Sequence, residues 1–163
     1  MAQHGINARL DLRHADGTRV VFRRPMCGMD GAKAIVGDDE DTVLAEVSCG
    51  RIRWAFNLGT GDKVFPLFLV RSLVCYVEPK LEQPETFDQL FAVVLPPLSV
   101  RTGNLRNSDL RRYWNISSEH GLNLIRSGLL AESRRSDWRQ GRNGSPTITR
   151  DSAVQLLKRR RIL

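Results

Sequence analysis

Residues 105–130, LRNSDLRRYWNISSEHGLNLIRSGLL, leave the chain few choices other than two short helices joined by a tight turn. Asn107 is placed to cap a helix over 108–114, with Asp109 at that helix's positive end. Leu110, Tyr113 and Trp114 fall three and four residues apart and make one apolar stripe. Asn115 and Ile116 form the turn, with Ile116 as the plug between the helices. Ser117 then caps a second helix, and Gly121, Leu124 and Ile125 face inward. Gly128 ends it in the left-handed region that glycine tolerates. Ser118, Glu119, His120, Asn123 and Arg126 are left on the outer face.

The charge balance says what that outer face is for. Residues 101–163 carry 14 Lys and Arg against 5 Asp and Glu, whereas residues 1–100 carry 11 against 13. All of the formal charge of +7 therefore comes from the last third, the footprint of a module that binds a polyanion. After the helix pair comes a hairpin pattern over 132–148, then a basic helix over 150–161 that Thr149 starts and Ala153, Leu156 and Leu157 dock. That order is the outline of a winged helix-turn-helix, with a recognition helix at 118–127 and a wing at 133–146. Polar side chains at a helix N-terminus (Ser117, Ser118, Glu119, His120, Asn123, Arg126) suit base edges and phosphates of duplex DNA. In the wing, Arg134, Arg135, Arg139 and Arg142 surround Trp138, and guanidinium groups on a glycine-bearing loop suit phosphate or a narrow minor groove. The alternative is that Trp138 packs inward and the arginines are simply solvated. Lys158 and Arg159, with the two arginines after them, either approach phosphate or stay in water.

The same residues resemble the DNA-binding domain of the excisionase and MerR-type families. The matching features are the capped first helix, the Ser117 start of the second, and the Leu124-Ile125-x-x-Gly128-x-Leu130 ending before a wing. The resemblance covers about 105–161. It implies that Ser118, Glu119 and Asn123 approach the major groove while the wing touches backbone or minor groove. Three positions depart from the family pattern. Arg111 stands where a small apolar residue is usual, Gly121 replaces a β-branched core residue, and the wing is longer.

The first part of the chain reads as β-rich. Alternation over 8–13 and 18–23, on either side of Ala15-Asp16-Gly17, predicts a hairpin. Further strands are expected over 42–47 and over 51–58, where Ile52, Trp54 and Phe56 would share one face. The apolar run 64–77 fits a strand pair or a helix, with a helix burying Leu67, Val70, Val74 and Val77 slightly preferred. Thr86 should cap a short helix over 86–95 that Pro96 and Pro97 stop. The reading is α+β: a small, mostly antiparallel, β-rich domain over 1–95, a boundary at 96–103 where the charge changes sign, and a winged helix-turn-helix over 100–163. No internal repeat is evident.

Catalytic chemistry is not indicated. His4, His14 and His120 lack neighbours at metal-ligand spacing, and no cofactor motif occurs. Gly59-Thr60-Gly61-Asp62-Lys63 lacks the spacing of a phosphate loop and reads as a hairpin turn. The acidic run 38–41 reads as a solvated turn. Cys27, Cys49 and Cys75 are expected as reduced, mostly buried thiols. No run reaches the ~18 apolar residues of a membrane span, and the start lacks a signal-peptide pattern. The expectation is a cytoplasmic, nucleoid-associated DNA-binding protein, a regulator or a recombination factor, with a protein partner or second copy on the N-terminal part. The competing reading is a structural or assembly adaptor whose basic module binds protein or RNA. The helix pair makes its own prediction: Ile116→Asp, which buries an unpaired charge, should cost several kcal/mol, of order ~3–5, and lower the thermal midpoint sharply.

Overall fold

The computed structural model describes residues 10–13, 19–97, 104–133 and 147–162. Helix and sheet are mixed, and every strand pairing among the described residues is antiparallel. The expected hairpin is present: β1 (Leu10–Arg13) pairs with β2 (Arg19–Phe22), Leu10 opposite Phe22. Beyond it the N-terminal part is more helical than its alternation suggests. Strand β3 (Met26–Cys27) leads into α1 (Met29–Val36) and α2 (Glu40–Ser48), and β4 (Ala55–Asn57) and β5 (Pro66–Leu69) precede α3 (Val70–Val77). Helix α4 (Phe87–Val94) follows, capped as expected by Thr86, whose hydroxyl accepts from the Gln89 N–H.

Two expectations need correction here. Residues 42–47 are not a strand but the body of α2. The Asp39 carboxylate accepts the Thr42 N–H at 2.9 Å, Glu40 and Asp41 sit at the positive end, and Val43 and Val47, four apart, are the buried pair. Capping thus outweighs the strand preference of the β-branched residues. The run 64–77 is a strand followed by a helix, and Val77, expected inward, is 51% exposed. Strand β4 also divides its burial. Trp54, Phe56 and Leu58 face one core cluster, while Ile52 and Ala55 belong to a second, with Val43, Val47, Phe68 and Leu73.

The last third supplies β6 (Asn104–Arg106), α5 (Asn107–Trp114), α6 (Ser118–Arg126), β7 (Thr147–Thr149) and α7 (Arg150–Arg160). Strand β7 is central, paired to β6 on one side and bridged to Glu132 on the other. The break at 96–103 does not separate two cores. Leu105, Leu110, Trp114, Ile116, Leu124, Leu156 and Leu157 share one buried cluster with Trp54, Phe56, Leu67, Leu90 and Val94. The Trp114 indole N–H donates to the Val94 carbonyl at 3.0 Å. The chain end also returns to β4, where Phe56 bridges Arg161 and the Ile162 N–H donates to the Ala55 carbonyl at 2.8 Å.

A repeat that the sequence conceals becomes visible at this point. Helices α5 and α6 begin 78 residues after α1 and α2 (29 to 107, 40 to 118) and have the same lengths. The first turn of each pair is left-handed, at Gly37 (φ 75°) and Asn115 (φ 56°), and so is the exit, at Gly50 (φ 77°) and Gly128 (φ 79°). Asp39 caps α2 through Thr42 as Ser117 caps α6 through His120, 78 residues on. The Arg51 and Ile52 N–H groups both donate to the Glu46 carbonyl, as those of Leu129 and Leu130 do to Leu124. In both units a central strand, β5 or β7, runs directly into the closing helix. Apart from the β1–β2 hairpin, the described structure is thus two copies of one plan, 26–77 and 104–160, joined by α4: a strand, two helices, a central strand and a closing helix, with β4 in the first matched by the bridge at Glu132 in the second.

Because the two units share a core, they are expected to melt together. Calorimetry should give a single transition whose calorimetric and van't Hoff enthalpies agree. Two separated transitions would show that the halves are stable apart.

Candidate nucleic-acid interface

The geometry of α6 is set from beneath by an unusual pairing. Gly121 faces α5 so closely that a methyl group there would lie 2.0 Å from Asn107 Oδ1. Asn107 is not the helix cap. It is the first residue of α5, almost fully buried, and its amide Nδ2 donates to the Ser118 carbonyl at 3.0 Å. The start of α5 is held instead by Asp109, whose carboxylate accepts the Arg106 N–H at 2.8 Å. The glycine that departs from the family pattern is therefore what lets the two helices approach within reach of that amide. Ile116 and Trp114 close the turn from inside, as expected.

Of the outward residues expected on α6, Ser117, Ser118, Glu119 and Arg126 are exposed and Asn123 is half-buried. Ser117 has a second duty, since its hydroxyl accepts the His120 N–H at 3.1 Å. His120 does not belong to the open face. Its Nε2 lies 2.8 Å from the Leu58 carbonyl, and its ring stacks on Phe65 with centroids 4.3 Å apart. At 3.6 residues per turn His120 projects about 60° from Asn123, enough to bring it under the loop that joins β4 to β5. The open face thus consists of Ser118, Glu119, Asn123 and Arg126. Arg106, Arg111 and Arg112 add exposed positive charge on β6 and α5.

Arg134, Arg135, Arg139 and Arg142, expected in a wing, lie outside the described residues, as does Trp138. The described residues on either side of them are hydrogen-bonded to each other. The Ser133 N–H donates to the Thr147 carbonyl at 2.8 Å and the Thr149 N–H to the Ala131 carbonyl at 3.0 Å.

The basic end of α7 divides. Arg159 is exposed, and Lys158 is exposed with its ammonium 6.0 and 5.9 Å from the ring centres of Phe87 and Phe91. Arg161 is drawn inward. Its guanidinium stacks 4.0 Å from the Trp54 ring and donates to the Arg53 carbonyl, and burial pushes its pKa below the usual value. Arg150 likewise turns to the Pro96 carbonyl, at 2.6 Å, with a pKa lowered by burial. Arg161 ties the chain end to the first unit and Arg150 ties α7 to the segment after α4, so both cations are engaged within the fold. No sequence signal distinguished them from Lys158 and Arg159, because the aromatic and carbonyl partners come from distant parts of the chain.

Cys27 and Cys75 are buried, in keeping with mostly buried thiols, and Cys49 is exposed. Burial pushes the Cys27 thiol up to about 12, so it stays protonated at neutral pH. No group of three His, Cys, Asp or Glu side chains suited to a metal occurs among the described residues, and no described helix is long and apolar enough to cross a membrane. Comparison with protein-family models, with curated proteins and with solved structures finds no match to this chain.

The Asn107–Gly121 contact is testable by a double-mutant cycle. Gly121→Ala should destabilise by about 1–3 kcal/mol through overpacking, although alanine is worth ~1 kcal/mol more than glycine in a helix. Asn107→Ala opens the space the methyl needs, so the double variant should lose ~1 kcal/mol less than the sum of the single losses in denaturant melts.

Proposed function

We propose that this chain binds duplex DNA, as a transcriptional regulator or an excisionase-like recombination or architectural factor. Its second unit acts as the winged helix-turn-helix, with α6 as the recognition helix and 133–146 as the wing. The observation that carries the reading is the open polar face of α6. Ser118, Glu119 and Arg126 stay exposed and Asn123 half-exposed beside them on a capped helix, in the only strongly basic part of the sequence. Asn offers an amide that pairs bidentately with adenine, and Arg a fork for guanine or phosphate.

Comparison of the two units supports assigning the contacts to the second. At the positions of Ser118 and Glu119, α2 has Glu40 and Asp41, both exposed and following Asp38 and Asp39. Four acids at that end would repel phosphate. The first unit, with the exposed start of α2, is the part left for a protein partner or a second copy. The resemblance of 105–161 to excisionase and MerR-type domains points the same way, and the antiparallel contact of 131–133 with β7 is compatible with a wing between them.

The test is selection of bound duplexes from a random pool, followed by titration of variants against the selected site and a scrambled one. Asn123→Ala is expected to reduce discrimination by about 1–3 kcal/mol at one base pair. Arg139→Ala should weaken both duplexes alike and lower the salt slope by about one. A full-length protein that binds no duplex with salt-sensitive affinity would overturn the reading.

A further inference from the structure

The loop between β4 and β5 is a constructed finger. The Asn57 side-chain oxygen accepts the N–H groups of Gly59 and Phe65, each at 3.0 Å, and the Leu58 N–H donates to the Phe65 carbonyl at 2.9 Å. Inside this frame the chain doubles back so tightly that a methyl group on Gly59 would sit 1.7 Å from the Lys63 carbonyl oxygen. Gly61, at φ 63°, supplies the left-handed residue at the tip. The base of the finger presses on α6, through the Phe65–His120 stack and the Leu58 carbonyl. Its tip is open: Gly61, Asp62, Lys63 and Val64 are exposed, Val64 by 70%.

These facts fix where the tip is. His120 is the third residue of α6 and flanks the open face that holds Glu119 and Asn123. Beyond Leu58 and Phe65 the finger can reach at most about 10 Å, the length of three extended residues at roughly 3.3 Å each. By chain position it is also the counterpart, in the first unit, of the Arg-rich connection 134–146 in the second. Helix α6 is thus flanked near its start by a hairpin from the first unit, and followed at its end by the paired segments 131–133 and 147–149 of the second.

We infer that the 59–64 finger is a second backbone-contacting element, which sets Lys63 on a phosphate of the duplex beside the segment that α6 reads. The inference rests on the DNA-binding reading and adds to it a contact from the first unit, whose overall charge gives no hint of one. Lys63 is the only cation on the finger, and Asp62 beside it opposes the contact. A phosphate contact carries no base information, so the effect is on affinity and salt dependence and not on sequence preference.

The experiment uses the full chain and the selected and scrambled duplexes over a range of salt. Lys63→Ala is expected to weaken both duplexes by the same several-fold factor and to lower the salt slope by about one. Lys63→Arg should restore the slope, and Asp62→Asn should tighten both duplexes. Gly59→Ala, which deforms the finger, should reproduce the Lys63→Ala loss. Unchanged slopes for Lys63→Ala and Asp62→Asn, in a protein whose binding Arg139→Ala still weakens, would overturn the finger contact and leave the DNA-binding reading standing. Absence of salt-sensitive binding in the wild-type chain would overturn both.

Discussion

The buried seat of Trp114 is the constraint on which the geometry of the second unit depends. Its side chain is fully enclosed, and the one polar atom it carries reaches the Val94 carbonyl at the end of α4. A buried indole N–H left without that partner would cost about 1–3 kcal/mol, and loss of the ring about 3–5 kcal/mol. Since α4 itself packs Leu90, Phe91 and Val94 against Trp54 and Phe56, the last turn of α5 is fixed to the first unit. Everything downstream inherits that placement. Asn115 is held by Arg24, α6 is set on α5 through the Asn107–Gly121 contact, and His120 comes to rest on Phe65.

One backbone plan serves two electrostatic purposes. The two units repeat the same turns, caps and exit hydrogen bonds, yet the outer start of the second helix carries four acids in one and two serines with a single acid in the other. Side chains on that face do not touch the core, so charge there is nearly independent of the fold, whereas the left-handed turns and caps are not. The core tolerates exchange too, provided volume is kept locally. Val43 of the first unit corresponds to Gly121 of the second, where the Asn107 side chain occupies the space that a larger residue would fill.

Net charge overstates the basic surface that is available. Arg150 holds the Pro96 carbonyl and Arg161 the Arg53 carbonyl, and Arg161 also covers the Trp54 ring. A guanidinium can do this without losing its proton because its pKa remains far above neutrality even when burial lowers it. Among the described residues of the last third, the exposed cations are those on β6, α5, α6 and the end of α7.

The sequence by itself determined what is decided within a turn or two of chain. Thr86, Ser117 and Thr149 were legible as caps, Gly128 as a left-handed exit, Pro96 as a stop, and the inward stripe of α6 as Gly121, Leu124 and Ile125, because capping and periodicity act between residues at most four or five apart. The strand expected over 42–47 failed within that same range: Val43 and Val47 fall on one face in a strand or a helix alike, and the Asp39 cap outweighed their strand preference. Tertiary structure alone decided the rest. It chose which cations remain free, turned His120 away from the open face, seated Asn107 against Gly121 and merged two expected domains into one core. It also disclosed the repeat, which sequence could not. In the aligned helix pairs only Leu44 and Leu122, and Gly50 and Gly128, are identical. A fold preserves turn geometry and burial position, and many different side chains satisfy both.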